Sequence, residues 1–411
     1  MSKTTSGGRT AETTRTAGAL QGILLLAGSC MPVLGSVLIT PVLPQLSAHF
    51  ADVEGSAILV PMIVAIPALM IALFAPFAGQ IVDRLGRKNL LIGAMIAYAL
   101  VGTAPAWLEG LPEILFSRIL VGICEAAIMT VCTTLIVDYF YEERRRNKYL
   151  GLQTVTTTLA ATVFIVLGGA LGVGGWHTPF WVYAISIVIA IPMIFVLWEP
   201  RGGAEGDRHV AAGEKVRIPW RRIATPLAVT LFGGFAFYVL IIEVSYLVVG
   251  TGVDAEDTRV IGLVSAVASL ATAVAGFIFS RLAKVRPGSL LPLAFALQAV
   301  GMIVIWMVPA FGGVIAGAVI ASFGSGLLLP SLLTWVIAAT RFEERGRVTG
   351  WWTASFYLGQ FVTPIIIGAL VAAVGTLNVA VGIVGIAAAV MAGVTALVLR
   401  TGSSEDAPLP R

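Results

Sequence analysis

The sequence predicts an all-α membrane protein with twelve transmembrane helices in two pseudo-symmetric six-helix bundles. Three observations lead there. Apolar runs about 20 residues long recur along the whole chain; a helix of that length crosses a bilayer, and lipid offers the backbone no partner outside helices and closed barrels. Only 12% of the 411 residues are charged and 58% are hydrophobic, against about 25% charged in a soluble domain. The charges also gather between the runs or at their ends, and every Lys and Arg except Arg118 and Arg259 is placed on one side of the membrane.

In chain order, 1–17 is a polar tail carrying Lys3, Arg9 and Arg15. Six runs follow at 18–45, 57–78, 89–108, 112–138, 149–171 and 179–198, making a first half over 18–198. The first run is too long for a signal-peptide core and no cleavage site follows it, so it is expected to remain as a helix. The interval 199–222, from Glu199 to Arg222, is rich in Gly, Ala and charge and reads as a flexible linker. Runs at 225–249, 260–282, 289–309, 313–339, 350–374 and 378–399 make a second half over 223–399, and 400–411 is a second tail. Basic residues stay on the cytoplasmic side, which puts both termini and the linker inside the cell membrane. The net charge of +4 therefore reports orientation rather than a nucleic-acid partner.

Cys30, Cys124 and Cys132 lie within apolar runs without metal-ligand spacing, so neither a disulfide framework nor a metal or cofactor site is expected. His49, His177 and His209 lie in loops or at helix ends, and no nucleophile–base constellation or phosphate loop is present. The sequence does not read as an enzyme.

The halves echo one another. Gly79-x-x-x-Asp83-Arg84 returns as Gly276-x-x-x-Ser280-Arg281, and Glu142-Glu143-Arg144 followed by Gly151 returns as Glu343-Glu344-Arg345 followed by Gly350. The densest motif is Gly79-x-x-x-Asp83-Arg84-x-Gly86-Arg87-Lys88, between the second and third runs. It resembles the loop between helices 2 and 3 of the major facilitator superfamily. Arg118-x-x-x-Gly122 in the fourth run, Gly168-Gly169 with Gly175-Trp176-His177-x-Pro179-Phe180 after the fifth, Gly324-Ser325-Gly326 with Pro330, and Gly359-Gln360 with Pro364 are similar to that family as well. Phe164-Ile165 stands where drug antiporters of the family usually carry Gly-Pro.

The resemblance covers about 18–399 and implies two halves rocking around a substrate site near the membrane midplane. It makes Gly79, Asp83, Arg84, Gly86, Arg87 and Lys88 a cytoplasmic gate. Asp83 is to meet the amino-terminal end of the eleventh helix, whose dipole favours a carboxylate. Gly79 and Gly86 would let backbones approach closely, and the basic side chains can also anchor to anionic lipid.

Three ionisable residues fall well inside runs: Arg118, Glu125 and Glu243. A charge there is costly unless paired or hydrated, which marks proton and substrate pathways. Arg118 and Glu125 are seven residues apart on one helical face, roughly 10 Å along the axis. They read either as a proton-coupling pair or as a permanent structural ion pair. Glu243 stands among Tyr238, Ser245 and Tyr246 as a second candidate. Tyr238, Tyr246, Trp335 and Gln360 are candidate cavity residues.

The expected function is secondary active transport, with proton-coupled efflux of a small organic molecule by alternating access preferred. Proton-coupled uptake of a sugar or metabolite is the alternative, and a non-transporting sensor or a channel a more distant one. The expected partners are a small-molecule substrate, the proton and the lipid bilayer, with one chain acting as a monomer.

Overall fold

Prolines and small residues shape these helices as much as hydrophobicity does. The computed structural model describes residues 17–200, 218–282, 287–341 and 344–405; the end segments and 201–217 of the expected linker lie outside the described residues. Twelve helices within them are long and apolar enough to cross a membrane. They are α1 (Ala19–His49), α2 (Ser56–Val82), α3 (Arg87–Ala106), α4 (Leu111–Tyr139), α5 (Glu143–Gly172), α6 (Thr178–Val196), α7 (Trp220–Val249), α8 (Thr258–Phe279), α9 (Ser289–Met307), α10 (Phe311–Ala338), α11 (Arg345–Val374) and α12 (Leu377–Leu399). No strand occurs among the described residues.

The packing repeats after six helices. α4 packs on α2 and α3, and α10 packs on α8 and α9; α3 meets α6 as α9 meets α12. The two bundles touch through α5 on α8 and, symmetrically, α11 on α2, with α1 against α7 completing the seam. The first bundle has one apolar core, which includes Leu34, Leu38, Tyr98, Val121 and Tyr183. The second has two, one around Val239, Met302 and Ala318 and one around Phe295, Leu332 and Trp352. Glycines set the close approaches. A Cβ on Gly122 would stand 2.6 Å from the Pro67 Cα, which fixes α4 against α2.

One end of the bundle carries Arg84, Arg87, Lys88, Arg144–Arg146, Arg221 and Arg345, and is called the basic end. The other carries Asp52, Glu54, Glu109, Asp254, Glu256 and Asp257, and is called the acidic end.

α1 is broken into Ala19–Ser29, Met31–Val37, a 3-10 turn Thr40–Val42, and Leu43–His49. Pro41 and Pro44 lack an N–H, so the carbonyls of Val37 and Thr40 lose their partners four residues on. The Thr40 hydroxyl donates to Val37 O at 2.9 Å. Thr40 O instead accepts Ser245 Oγ from α7 at 2.7 Å. Thr40 O also accepts the Leu43 N–H within α1, and the proline break leaves it open to this second donor from the opposite bundle.

Candidate functional site

Glu125 sits at the middle of α4 with no solvent exposure. Neither of its carboxyl oxygens has a hydrogen-bond partner. Two small or polar groups make its place. A Cβ on Gly35 of α1 would collide with Glu125 Oε1, and the same point is 3.1 Å from the Tyr98 hydroxyl of α3. Tyr98 donates its one proton to Met31 O at 2.6 Å, so what it can offer a neighbour is a lone pair. The Tyr98 hydroxyl thus stands near the carboxyl with its proton directed to Met31 O.

Arg118 lies two turns toward the acidic end, 1% exposed. Its donors go to neutral oxygens: Nη1 to Tyr183 Oη at 3.1 Å, Nη2 to Val101 O and Gly102 O at 3.2 and 3.1 Å, and Nε to Ser117 Oγ at 3.2 Å. Pro105 has no N–H for Val101 O, and the guanidinium fills that place at the end of α3, where the helix dipole favours a cation. The rings of Phe180 and Tyr183 lie 5.3 and 5.1 Å from its Cζ. The two residues share a face, as their spacing requires, but Arg118 is fixed by α3 and α6 and makes no hydrogen bond to Glu125.

Between the bundles, polar contacts run along the side toward the acidic end. Tyr238 donates to Val64 O of α2 at 2.9 Å, and Tyr246 shares a hydrogen bond with Ser47 of α1 at 2.8 Å. Thr162 and Ser269 join α5 to α8 at 3.0 Å, and Thr258 Oγ1 donates to Gly169 O at 2.7 Å. Gly169 and Gly262 meet backbone to backbone, since a Cβ on Gly169 would stand 2.9 Å from Gly262 Cα. Gln45 gives its amide hydrogens to Gly172 O at 3.3 Å and Glu256 Oε2 at 3.0 Å. Glu243 is buried on α7 next to this seam. Gln360 is buried on α11, and nearby Tyr357 reaches Met129 Sδ of α4 at 3.7 Å. Trp335 is half-buried against the core around Phe295.

Of these residues, Tyr238, Tyr246 and Glu243 stand out in the sequence as polar groups inside apolar runs. Gln45, Gly35, Tyr98 and Thr258 carry no such signal, because what they do depends on which helix they face.

At the basic end, Arg87 pairs with Asp138 of α4. The Glu199 carboxylate accepts from the backbone N–H of Arg87 at 2.7 Å and of Lys88 at 2.8 Å, satisfying two open donors at the start of α3. Lys88 Nζ donates to Ile194 O at 2.8 Å, and Arg84 is exposed. Gly86 has φ +79°, a left-handed angle that accounts for glycine there. Nothing lies within 4 Å of the Cβ position of Gly79, so this arrangement does not use it for a close approach. The side chain of Asp83 lies outside the described residues. α11 does reach this end of α2: a Cβ on Gly350 would be 3.1 Å from Ala75 O. No group of three or more His, Cys, Asp or Glu gathers among the described residues.

Comparison with known proteins places this architecture. The chain is 25% identical to the 3-(3-hydroxy-phenyl)propionate transporter of Escherichia coli over 80% of its own length and 82% of that protein's. It is 26% identical to the class C tetracycline resistance protein of Escherichia coli, covering 85% of the chain and 89% of the relative. A bacterial homologue of the human lysosomal transporter Spinster, solved inward-facing and unoccupied, superposes with a TM-score of 0.73 at 18% identity, over 96% of this chain and 99% of that one. The family model described as Major Facilitator Superfamily matches residues 25–254 and 255–411, nearly the whole length, and the chain with its twelve helices in two six-helix bundles belongs to that superfamily of transporters.

Proposed function

We propose that this transporter exports a small organic molecule in exchange for protons, by alternating access between its two bundles. The observation that carries the coupling is Glu125: a fully buried carboxyl at mid-span with no partner. An unpaired carboxylate there is costly, whereas the neutral acid can donate to a lone pair. Opening to either side rehydrates the site, so the group takes up a proton in one state and releases it in the other. Moving one proton across 100 mV supplies about 2.3 kcal/mol to the cycle.

Arg118 is a fixed positive charge two turns away on the same helix, and Glu243 is the second acid on the route. Tyr238, Tyr246, Trp335 and Gln360 belong to the substrate pathway. The Gly79–Lys88 segment is the cytoplasmic gate, with Asp83 aimed at the start of α11. The bundles divide at 199–222, both termini are cytoplasmic in the cell membrane, and one chain is the working unit.

Relatives named for tetracycline resistance support export. The relative named for 3-(3-hydroxy-phenyl)propionate transport supports a second reading, proton-coupled uptake of a small organic acid or other metabolite.

Glu125→Gln tests the proposal. It holds the site neutral in both states. In proteoliposomes, accumulation driven by a pH gradient is expected to disappear while passive exchange of substrate survives. Accumulation that stays pH-driven moves coupling to Glu243, and loss of exchange as well makes Glu125 a structural residue or a substrate ligand.

A further inference from the structure

The basic end of the second bundle holds an open cavity of about 520 Å³, where the chain entering α7 meets the loop between α10 and α11. Arg221 and Arg222 line it from the start of α7, and Arg341 lines it from the loop. All three side chains are exposed, so their guanidinium groups are open to the cavity. The carboxylate in the lining, Glu344, accepts the Arg341 backbone N–H through Oε2 at 2.9 Å. Among the described residues, no carboxylate stands in ion-pair contact with Arg221, Arg222 or Arg341. Other basic side chains at this end are engaged within the protein. Arg87 pairs with Asp138, Lys88 Nζ donates to Ile194 O at 2.8 Å, and Arg145 lies over the Phe140 ring at 5.7 Å. Three like charges gathered from two stretches of chain repel one another, and an anion between them removes that repulsion.

The rest of the wall is apolar. Ile218 and Pro219 are half-buried, and Trp220 is 48% exposed with its ring edge-on to Trp351 at 5.1 Å. An exposed indole at the end of an apolar span lies at the depth of lipid headgroups. The cavity therefore presents positive charge and an apolar surface side by side at that depth.

We propose that this cavity seats the phosphate of an anionic phospholipid. Its oxygens accept from Arg221, Arg222 and Arg341, and its glycerol end rests against Ile218, Pro219 and Trp220. A guanidinium offers two parallel donors that match phosphate oxygens. A free phosphate has the same charge but leaves the apolar wall uncovered. Bound lipid ties the start of α7 to the loop before α11, both in the second bundle, and does not touch Glu125 in the first.

The purified full-length protein in neutral detergent, titrated with dihexanoyl phosphatidylglycerol, dihexanoyl phosphatidylcholine and inorganic phosphate, tests this by thermal midpoint and by counting bound lipid in native mass spectra. The phosphatidylglycerol should bind at least tenfold more tightly than either of the others. Arg222→Gln/Arg341→Gln should weaken it at least tenfold, and Arg144→Gln, at the same end of the first bundle, should leave it unchanged. Equal binding of phosphatidylcholine, or undiminished binding by the double variant, would overturn the proposal. An equal loss in Arg144→Gln would mean general attraction to a basic surface, and phosphate binding as tightly as the lipid would mean a free-anion site; both would also overturn it. The unsubstituted protein gives a reading that does not depend on the double variant folding. Raising the salt concentration should weaken phosphatidylglycerol at least tenfold, because screening acts on exposed charges. Binding insensitive to salt would contradict contact with the three arginines.

Discussion

Glu125 and Gly35 work as a unit at the scale of single residues. The carboxyl fits beside α1 because Gly35 has no side chain, and a Cβ there would overlap Oε1. Gly35→Ala is expected to displace Glu125 and cost about 1–3 kcal/mol, the usual penalty for overpacking a core. It should also abolish pH-driven transport at a temperature where the variant is still folded. Thermal midpoints paired with proteoliposome uptake measure both effects, and normal coupling in Gly35→Ala would separate the two residues. His177 makes a different prediction. It lies outside the helices, and burial, then the neighbouring His49, hold its imidazole below the ordinary histidine value, with Glu109 acting the other way. A lowered folded value means that the unfolded chain protonates first as pH falls. This contribution is therefore intact above about pH 6.5, the ordinary histidine value, and lost below it. His177→Gln should reduce the fall in thermal midpoint between pH 7.5 and pH 5.5, and an unchanged slope would assign that fall to other groups.

At the scale of helices, opened backbone positions recur as attachment points. Pro44 frees Thr40 O for Ser245, and Pro105 frees Val101 O for Arg118. The end of α5 leaves Gly169 O and Gly172 O for Thr258 and Gln45. Lipid cannot satisfy such groups, so side chains of neighbouring helices do. Arg118 and Gln45 belong to the same bundle as the carbonyls they reach, and Ser245 and Thr258 to the opposite one, which makes the seam specific rather than merely greasy. Ser245→Ala removes the cross-bundle donor to Thr40 O, which keeps the Leu43 N–H, and should cost roughly 0.5–1.5 kcal/mol in the state closed at the acidic end. Asp83→Asn, at the other end, removes the carboxylate proposed to meet the start of α11, a contact worth about 0.3–2 kcal/mol. The two variants should shift accessibility in opposite directions. Alkylation of single cysteines introduced near each end would show it, and a shift of the same sign in both would refute the assignment of the two gates.

The whole molecule is two bundles with a sidedness set by charge. Among the described residues, all Lys and Arg except Arg118 and Arg259 belong to the basic side. The proposed orientation puts that side in the cytoplasm. A cysteine at Gly203, with Cys30, Cys124 and Cys132 replaced, should resist impermeant thiol reagents in intact cells and react after lysis. Ready labelling in intact cells would reverse the orientation.

The sequence by itself determined the class of this protein. Run length and charge spacing sufficed for twelve helices, because a bilayer forces every span to be an apolar helix of nearly fixed length. The Gly79–Lys88 motif and its echo sufficed for the family resemblance, and an isolated carboxylate in an apolar run sufficed to single out Glu125. Seven-residue spacing correctly put Arg118 on the face of Glu125. Only the tertiary structure decided that Arg118 spends its donors on Tyr183, Ser117 and the carbonyls at the end of α3, because Pro105 acts through a helix the spacing does not describe. It alone turned Tyr238 and Tyr246 into contacts across the seam and showed that Gly86 answers to a left-handed backbone angle while Gly79 faces open space. Hydrophobic periodicity reports that a residue lies inside the membrane. Which neighbour it finds there depends on helix rotation and on breaks such as that at Pro41 and Pro44, and those are set by packing among all twelve helices.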